Sequence, residues 1–263
     1  MSNVYPASSE SKLLRQISEL ERELEDVRTR PYPRSLGSVI GSLMGLPRLR
    51  GFWPMGSANQ NDDVSDLSGQ ARTLTKNGTI SLPVYNSVVP YADFGGAATD
   101  FFSRADESAL DITGVLTMGG WFWSDAIATQ MGLMGKFLAA GNQRSYWMQF
   151  FGSNLLFSVS VDGTAVVTVT HTTTLLTGTW YFCIARYTPS TELKVWVNDV
   201  AITNTTSIPA SIFNSTATFN IGAFDGGIVP LNGRSALNFL CASALPDSLL
   251  TRLFQESRSF FGV

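Results

Sequence analysis

The run TWYFCIARY (residues 179–187), with LKVWVN (193–198) and VAIT (200–203) after it, decides the fold. Each piece is short, rich in β-branched and aromatic residues, and bounded by turn formers. Asn198-Asp199 stands between the last two runs, and an Asn that tolerates positive φ makes a tight hairpin there. Working outward, the same texture recurs in LTMGGWFWSD (116–125), SYWMQFF (145–151), NLLFSVSV (154–161), TAVVTVT (164–170), ATFNIGA (217–223) and RSALNFLCA (234–242). Asp162-Gly163 reads as a second hairpin turn. Such regular spacing, with almost no helix between the runs, predicts an antiparallel β-sandwich. One late helix is expected from Pro246 to Ser257, with Leu249, Leu250, Leu253 and Phe254 on one face.

Composition narrows the function classes. The 263 residues are 44% hydrophobic and only 15% charged, which excludes global disorder. A net charge of −3 gives no broad cationic surface, so no nucleic-acid partner is expected. The cysteines, Cys183 and Cys241, make no disulfide framework, and the single histidine, His171, excludes any site needing two. His171 is expected on the surface at a strand end. No cleavable secretory signal opens the sequence, and no run approaches the ~20 apolar residues of a membrane span. Synthesis in a cytosol without membrane insertion is the expectation.

Charge divides the chain. Residues 1–50 carry eight basic and six acidic side chains; the remainder carries ten and fifteen. Within the first part, Leu13, Ile17, Leu20, Leu24 and Val27 recur at spacings 4, 3, 4, 3, the a/d seam of a coiled coil. The seam leaves two and three strands open, and about three heptads are marginal alone. Residues 31–50 read as a connector in which Leu36, Val39, Ile40, Leu43 and Met44 form the apolar stripe of a short helix. From Arg28 to Arg50 there are five arginines and no acid, which suits docking to an acidic partner. The same stripe would equally suit a linker folded onto the following domain. The expected organisation is a helical segment at 1–30, a docking connector at 31–50 and a β domain at 51–263.

From Gly51 onward the chain resembles the laminin-G-like, or concanavalin A-like, jelly rolls. Gly51-Phe52-Trp53-Pro54-Met55 with Asp66-Leu67-Ser68-Gly69 is similar to the family's opening strand and D-x-S-G loop. Phe94-Gly95-Gly96, Asp100-Phe101-Phe102 and Leu110-Asp111-Ile112 resemble the next strand pair. Thr179-Trp180-Tyr181 leading into Leu193 to Asn198 is the most specific match, and Gly233-Arg234 through Leu245-Pro246-Asp247 resembles the closing strand and helix. The resemblance implies a mainly β, antiparallel jelly-roll sandwich, preceded here by an N-terminal α-helical coiled coil. It also implies binding of glycans or proteins, in many members with Ca²⁺, and in a minority glycosidase activity. The hydrolases carry closely spaced carboxylates in one strand, because retaining chemistry needs two carboxyl groups about 5–5.5 Å apart. No such pair lies within a strand-like run here, so no enzyme is expected, and a polysaccharide-degrading glycosidase is the alternative. The candidate Ca²⁺ ligands are Asp66, Asp93 and Asp100, although Gly95 stands where the family often places an acid; Asp66 equally suits a loop cap. Of the six tryptophans most suit the core, and Trp123 is the candidate sugar platform.

A domain that normally faces outward, in a chain without an export signal, fits a particle assembled in the cytosol. The Gly51-Phe-Trp-Pro-Met and Asp66-Leu-Ser-Gly segments after a short coiled coil also resemble bacteriophage structural proteins. The expectation is a non-enzymatic virion surface protein, a tail fibre, head fibre or capsid decoration. It would be trimeric through residues 13–27, attached to other virion proteins through residues 1–50, with the jelly roll outward toward a host-surface glycan.

Overall fold

The computed structural model describes residues 17–18, 35–56, 64–86, 88–126, 130–224 and 226–263. The chain divides into two compact units, Met1–Pro33 and Arg34–Val263. Ile17 and Ser18 are helical and exposed; the other seam positions, Leu13, Leu20, Leu24 and Val27, lie outside the described residues.

The second unit is a sandwich of two seven-stranded antiparallel sheets. The first runs β1 (Leu49–Trp53), β16 (Asn232–Cys241), β7 (Leu116–Ser124), β12 (Trp180–Thr188), β13 (Glu192–Val197), β14 (Val200–Asn204), with β5 (Ala92–Gly95) also paired to β16. The second runs β11 (Val166–His171), β10 (Asn154–Ser160), β9 (Gln143–Phe151), β8 (Met131–Leu138), β15 (Phe219–Ile221), β6 (Phe101–Arg104), β2 (Thr75–Asn77). A small pair, β3 (Val84–Tyr85) and β4 (Val89–Pro90), stands apart. Helix α1 spans Leu36–Met44 and α2 spans Asp247–Phe261.

The period of two divides the first sheet between two cores. Met118 and Phe122 of β7, with Tyr181, Cys183 and Ala185 of β12, face the sandwich interior. Trp121, Trp180, Phe182 and Ile184 point the other way, into a second core closed by the two helices. Burial on both faces is why 180–187 reads as a nearly unbroken apolar run rather than an alternating one. Trp121 anchors the second core: its ring stacks on Phe261 at 4.2 Å, and its Nε1 donates to Ser257 Oγ at 3.0 Å.

Helix α1 corrects the reading of the connector. Ser35 caps it through Oγ, and Val39 and Leu43 are buried in the second core with Leu36 and Ile40 packed against its edge; only Met44 of the stripe is exposed. Ser42 Oγ also donates to the buried carboxylate of Glu256 in α2 at 2.9 Å. The stripe expected to dock on another protein is thus covered by its own domain, which begins at Arg34 rather than Gly51. The physical reason is the outward row of large aromatics on the first sheet, which needs a cover as much as the stripe does.

Other differences are local. Helix α2 runs one turn further than expected, because Phe261 is needed over Trp121. The turn at Asp162-Gly163 is a five-residue loop, since Ser160 pairs with Val166; Asp162 Oδ1 accepts from the amides of Thr164 and Ala165. Strand β8, MGLMGKFL, was not foreseen because Gly132 and Gly135 weaken a strand pattern. A Cβ on Gly132 would lie 2.9 Å from the Phe224 ring, and one on Gly135 2.6 Å from Trp147 Cα, so Gly132 admits an aromatic cover and Gly135 the close approach of the β9 backbone. His171 is fully buried rather than exposed: Nδ1 accepts from Thr173 N at 3.3 Å, which leaves Nε2 to donate to Val200 O at 3.0 Å.

Candidate ligand-binding site

Five of the six tryptophans are buried to 5% exposure or less; Trp123 is the exception. It shares the outward face of β7 with Trp121 and packs against the second core, but stays only partly buried. Strand register builds the site around it. Asp93 of β5 pairs with Arg234 of β16, Arg234 with Trp123 of β7, and Trp123 with Trp180 of β12. Directly paired residues share a face, so four strands present a row Asp93, Arg234, Trp123, Trp180.

The contacts follow from that register. The Arg234 guanidinium lies 4.6 Å from the centre of the Trp123 ring and 5.6 Å from that of Tyr91. Trp180 supports both rings edge-on from below, at 5.8 Å from Trp123 and 6.0 Å from Tyr91. Trp123 Nε1 donates to Asp125 Oδ1 at 2.7 Å, which fixes the indole. Asp93 Oδ2 lies 3.6 Å from Arg234 Nε, an ion pair too long for a hydrogen bond. Burial raises the Asp93 carboxyl pKa; Arg234 draws it back down and Asp125 pushes it further up. The side chain of Arg234 forms no hydrogen bond among the described residues and remains 24% exposed, so its terminal N–H groups face solvent. An indole edge, a planar donor fork and two carboxylate acceptors together match the alternating apolar faces and hydroxyls of a sugar ring.

The expected Ca²⁺ ligands are not brought together, and among the described residues no three His, Cys, Asp or Glu side chains gather to hold a metal. Asp66 is a loop cap: its carboxylate accepts from the amides of Phe52, Ser68 and Arg72 and from the Ser68 hydroxyl, at 2.7–3.0 Å. Asp100 is buried and accepts from Thr79 N and Thr99 Oγ1. Asp93 belongs to the Trp123 site. Tyr91, Asp125 and Arg234 were missed as site residues. The period-two pattern of RSALNFLCA puts Arg234 on one face of its strand, but only the pairing with β7 reveals its neighbour.

No protein-family model and no curated protein sequence matches the chain. Solved structures do. The binding domain of Paraclostridial Mosquitocidal Protein 1 superposes with a TM-score of 0.63 at 9% identity, covering 79% of this chain and 52% of that one. The botulinum neurotoxin serotype D ligand-binding domain, solved with N-acetylneuraminic acid, gives 0.63 at 9% identity over 82% and 52%. A botulinum neurotoxin type C structure, whose cell entry depends on two ganglioside molecules, gives 0.62 at 11% identity over 84% and 53%. This chain therefore spans about half the length of each. At such identities the likeness is one of fold, and the fold is the antiparallel jelly-roll sandwich that the strand runs and their resemblance imply.

Proposed function

We propose that the protein is a non-catalytic glycan-binding module carried on the outside of a virion, with the Trp123 row as its sugar platform. One observation carries the binding reading. Trp123 is the one tryptophan that is not buried, and it stands beside a guanidinium whose N–H groups have no hydrogen-bond acceptor among the described residues. The structural neighbours add support, because they include a neurotoxin receptor-binding domain and a ligand-binding domain solved with N-acetylneuraminic acid. The N-terminal unit ahead of Arg34 is the part left to oligomerise, by preference as a trimer, and to hold the particle, since the α1 stripe is already covered.

Glycan-array binding of the full chain, compared with Trp123→Ala and Arg234→Gln, tests the platform. Each variant is expected to lose on the order of tenfold in affinity, an aromatic or charge-assisted contact of about 1.5 kcal/mol. Unchanged binding in both, at unchanged melting temperature, removes the site. The alternative, a polysaccharide hydrolase, has one observation in its favour: Asp93 of β5 and Asp125, just after β7, come to one aromatic platform, and Asp93 has a raised pKa. Release of reducing ends that Asp125→Asn abolishes would establish that reading instead.

A further inference from the structure

We propose that the hollow between Arg48, Arg50 and residues 108–115 binds an oxyanion of the sulfate or phosphate type. The site is separate from the Trp123 row and does not depend on it.

The hollow has a volume of about 210 Å³ and is lined by Arg48 and Arg50, by Ser108, Thr113 and Gly114 from the segment before β7, and by Asp111. Its arginines are unlike their neighbours. Arg72 and Arg104 share the carboxylate of Glu107, at 2.5 and 3.0 Å. Arg186 pairs with Glu192 and Asp247, at 2.6 Å each. Among the described residues, the side chains of Arg48 and Arg50 have neither a carboxylate nor a hydrogen-bond partner, and Arg50 Nε is shielded from solvent with nothing there to accept its proton. A buried N–H in that position is unfavourable until an acceptor arrives. Taking up two guanidinium forks is what a tetrahedral oxyanion does well.

The one acid on the wall does not compete for the arginines. The Asp111 carboxylate is bound by the fully buried Lys136 Nζ, and Asn214 donates to both its oxygens, at 3.0 and 3.2 Å, once its amide is oriented to its neighbours. Lys136 is shared with Asp106 at 2.5 Å. Three cations (Arg48, Arg50, Lys136) thus stand against two carboxylates (Asp106, Asp111), and the surplus is on the side of the hollow. The backbone is also set for it. Arg48 holds a φ of +50°, a left-handed conformation that a long side chain adopts at a cost, and its carbonyl is pinned by Ala242 N at 3.0 Å. This also accounts for the acid-free run of arginines that ends at Arg50: its last two members converge on one cavity rather than on a protein partner.

Equilibrium dialysis of the full chain against labelled sulfate, at constant ionic strength in chloride, tests the site. Saturable binding is expected, weakened on the order of tenfold or more in Arg48→Gln and in Arg50→Gln and unchanged in Arg252→Gln and Trp123→Ala. Arg48 is exposed, so Arg48→Gln keeps the test meaningful should Arg50→Gln lower stability. A second arm compares dextran sulfate with neutral dextran. Tighter binding of dextran sulfate per sulfate group, lost in the same two variants, identifies a polymer-borne group as the ligand; equal binding identifies the free ion. Absence of saturable sulfate binding, or binding that Arg48→Gln and Arg50→Gln leave untouched, overturns the proposal.

Discussion

Truncating Leu43 to alanine tests whether the α1 stripe belongs to this domain. Leu43 is 3% exposed and packs in the core that includes Trp121, Trp180 and Phe254. At about 0.8 kcal/mol per carbon, the loss of the carbons beyond Cβ comes to about 2.4 kcal/mol. The cavity left behind raises that toward about 3 kcal/mol, within the usual range for a buried leucine. For a domain of this size, a loss of about 3 kcal/mol lowers the melting temperature by roughly 6–12 °C. Met44, one residue on, is 49% exposed, and Met44→Ala is expected to move the midpoint by less than about 1–2 °C. Thermal unfolding followed by near-ultraviolet circular dichroism reads both, because the aromatic cluster under the helix dominates that signal. A Leu43→Ala midpoint within a degree of wild type would refute the packing. It would return the stripe to the solvent, and with it the idea that these residues bind another protein.

Four further outcomes follow from the geometry. Asp66→Ala is expected to lower stability by about 2 kcal/mol through orphaned backbone amides, while millimolar Ca²⁺ leaves the wild-type midpoint unchanged; a Ca²⁺-dependent rise lost in Asp66→Ala would make Asp66 a ligand instead. The Glu107 carboxyl is pushed up by burial, but its bonds with Arg104 and Arg72 outweigh this and leave its pKa lowered, as Lys194 and Arg186 do for Asp247. Their contribution is present above the ordinary pKa values of 4.5 and 3.8 and is lost as pH falls through the lowered ones, so urea midpoints should drop below about pH 4.5 and drop less steeply in Glu107→Gln. Burial lowers the His171 pKa below 6.5, so the unfolded chain takes up its proton first and stability should already decline between about pH 7 and 5.5, a slope absent in His171→Gln. Light scattering of the full chain is expected to give an oligomer and residues 34–263 a monomer; a monomeric full chain would remove the coiled-coil proposal.

The strands of highest contrast were legible because their residues carry the signal themselves. Trp180–Thr188 and Glu192–Val197 are found where TWYFCIARY and LKVWVN place them, and Asn198 turns the hairpin with φ +57°. β8 was not legible, because its glycines make room for the Phe224 ring and for the β9 backbone at Tyr146 and Trp147, whose approach is a tertiary fact. The same holds for His171: THTTT reads as polar and exposed, yet a buried imidazole with both nitrogens satisfied costs little.

Local pattern by itself determined the class of fold, the hairpins and the late helix, since alternation, turn chemistry and capping act over a few residues. It also gave the stripe on residues 36–44 but not what covers it, because an amphipathic helix fits its own domain and a partner equally well. Trp123 was singled out from the sequence by resemblance, but its companions were not. Arg234 lies more than a hundred residues beyond both Asp93 and Trp123 along the chain, and the three become neighbours only through the register of β5, β16 and β7. A register shift of one residue would turn Arg234 to the opposite face of the sheet. Register is set by the packing of two cores at once, which no single strand encodes, and so the tertiary structure alone decided which side chains share the site.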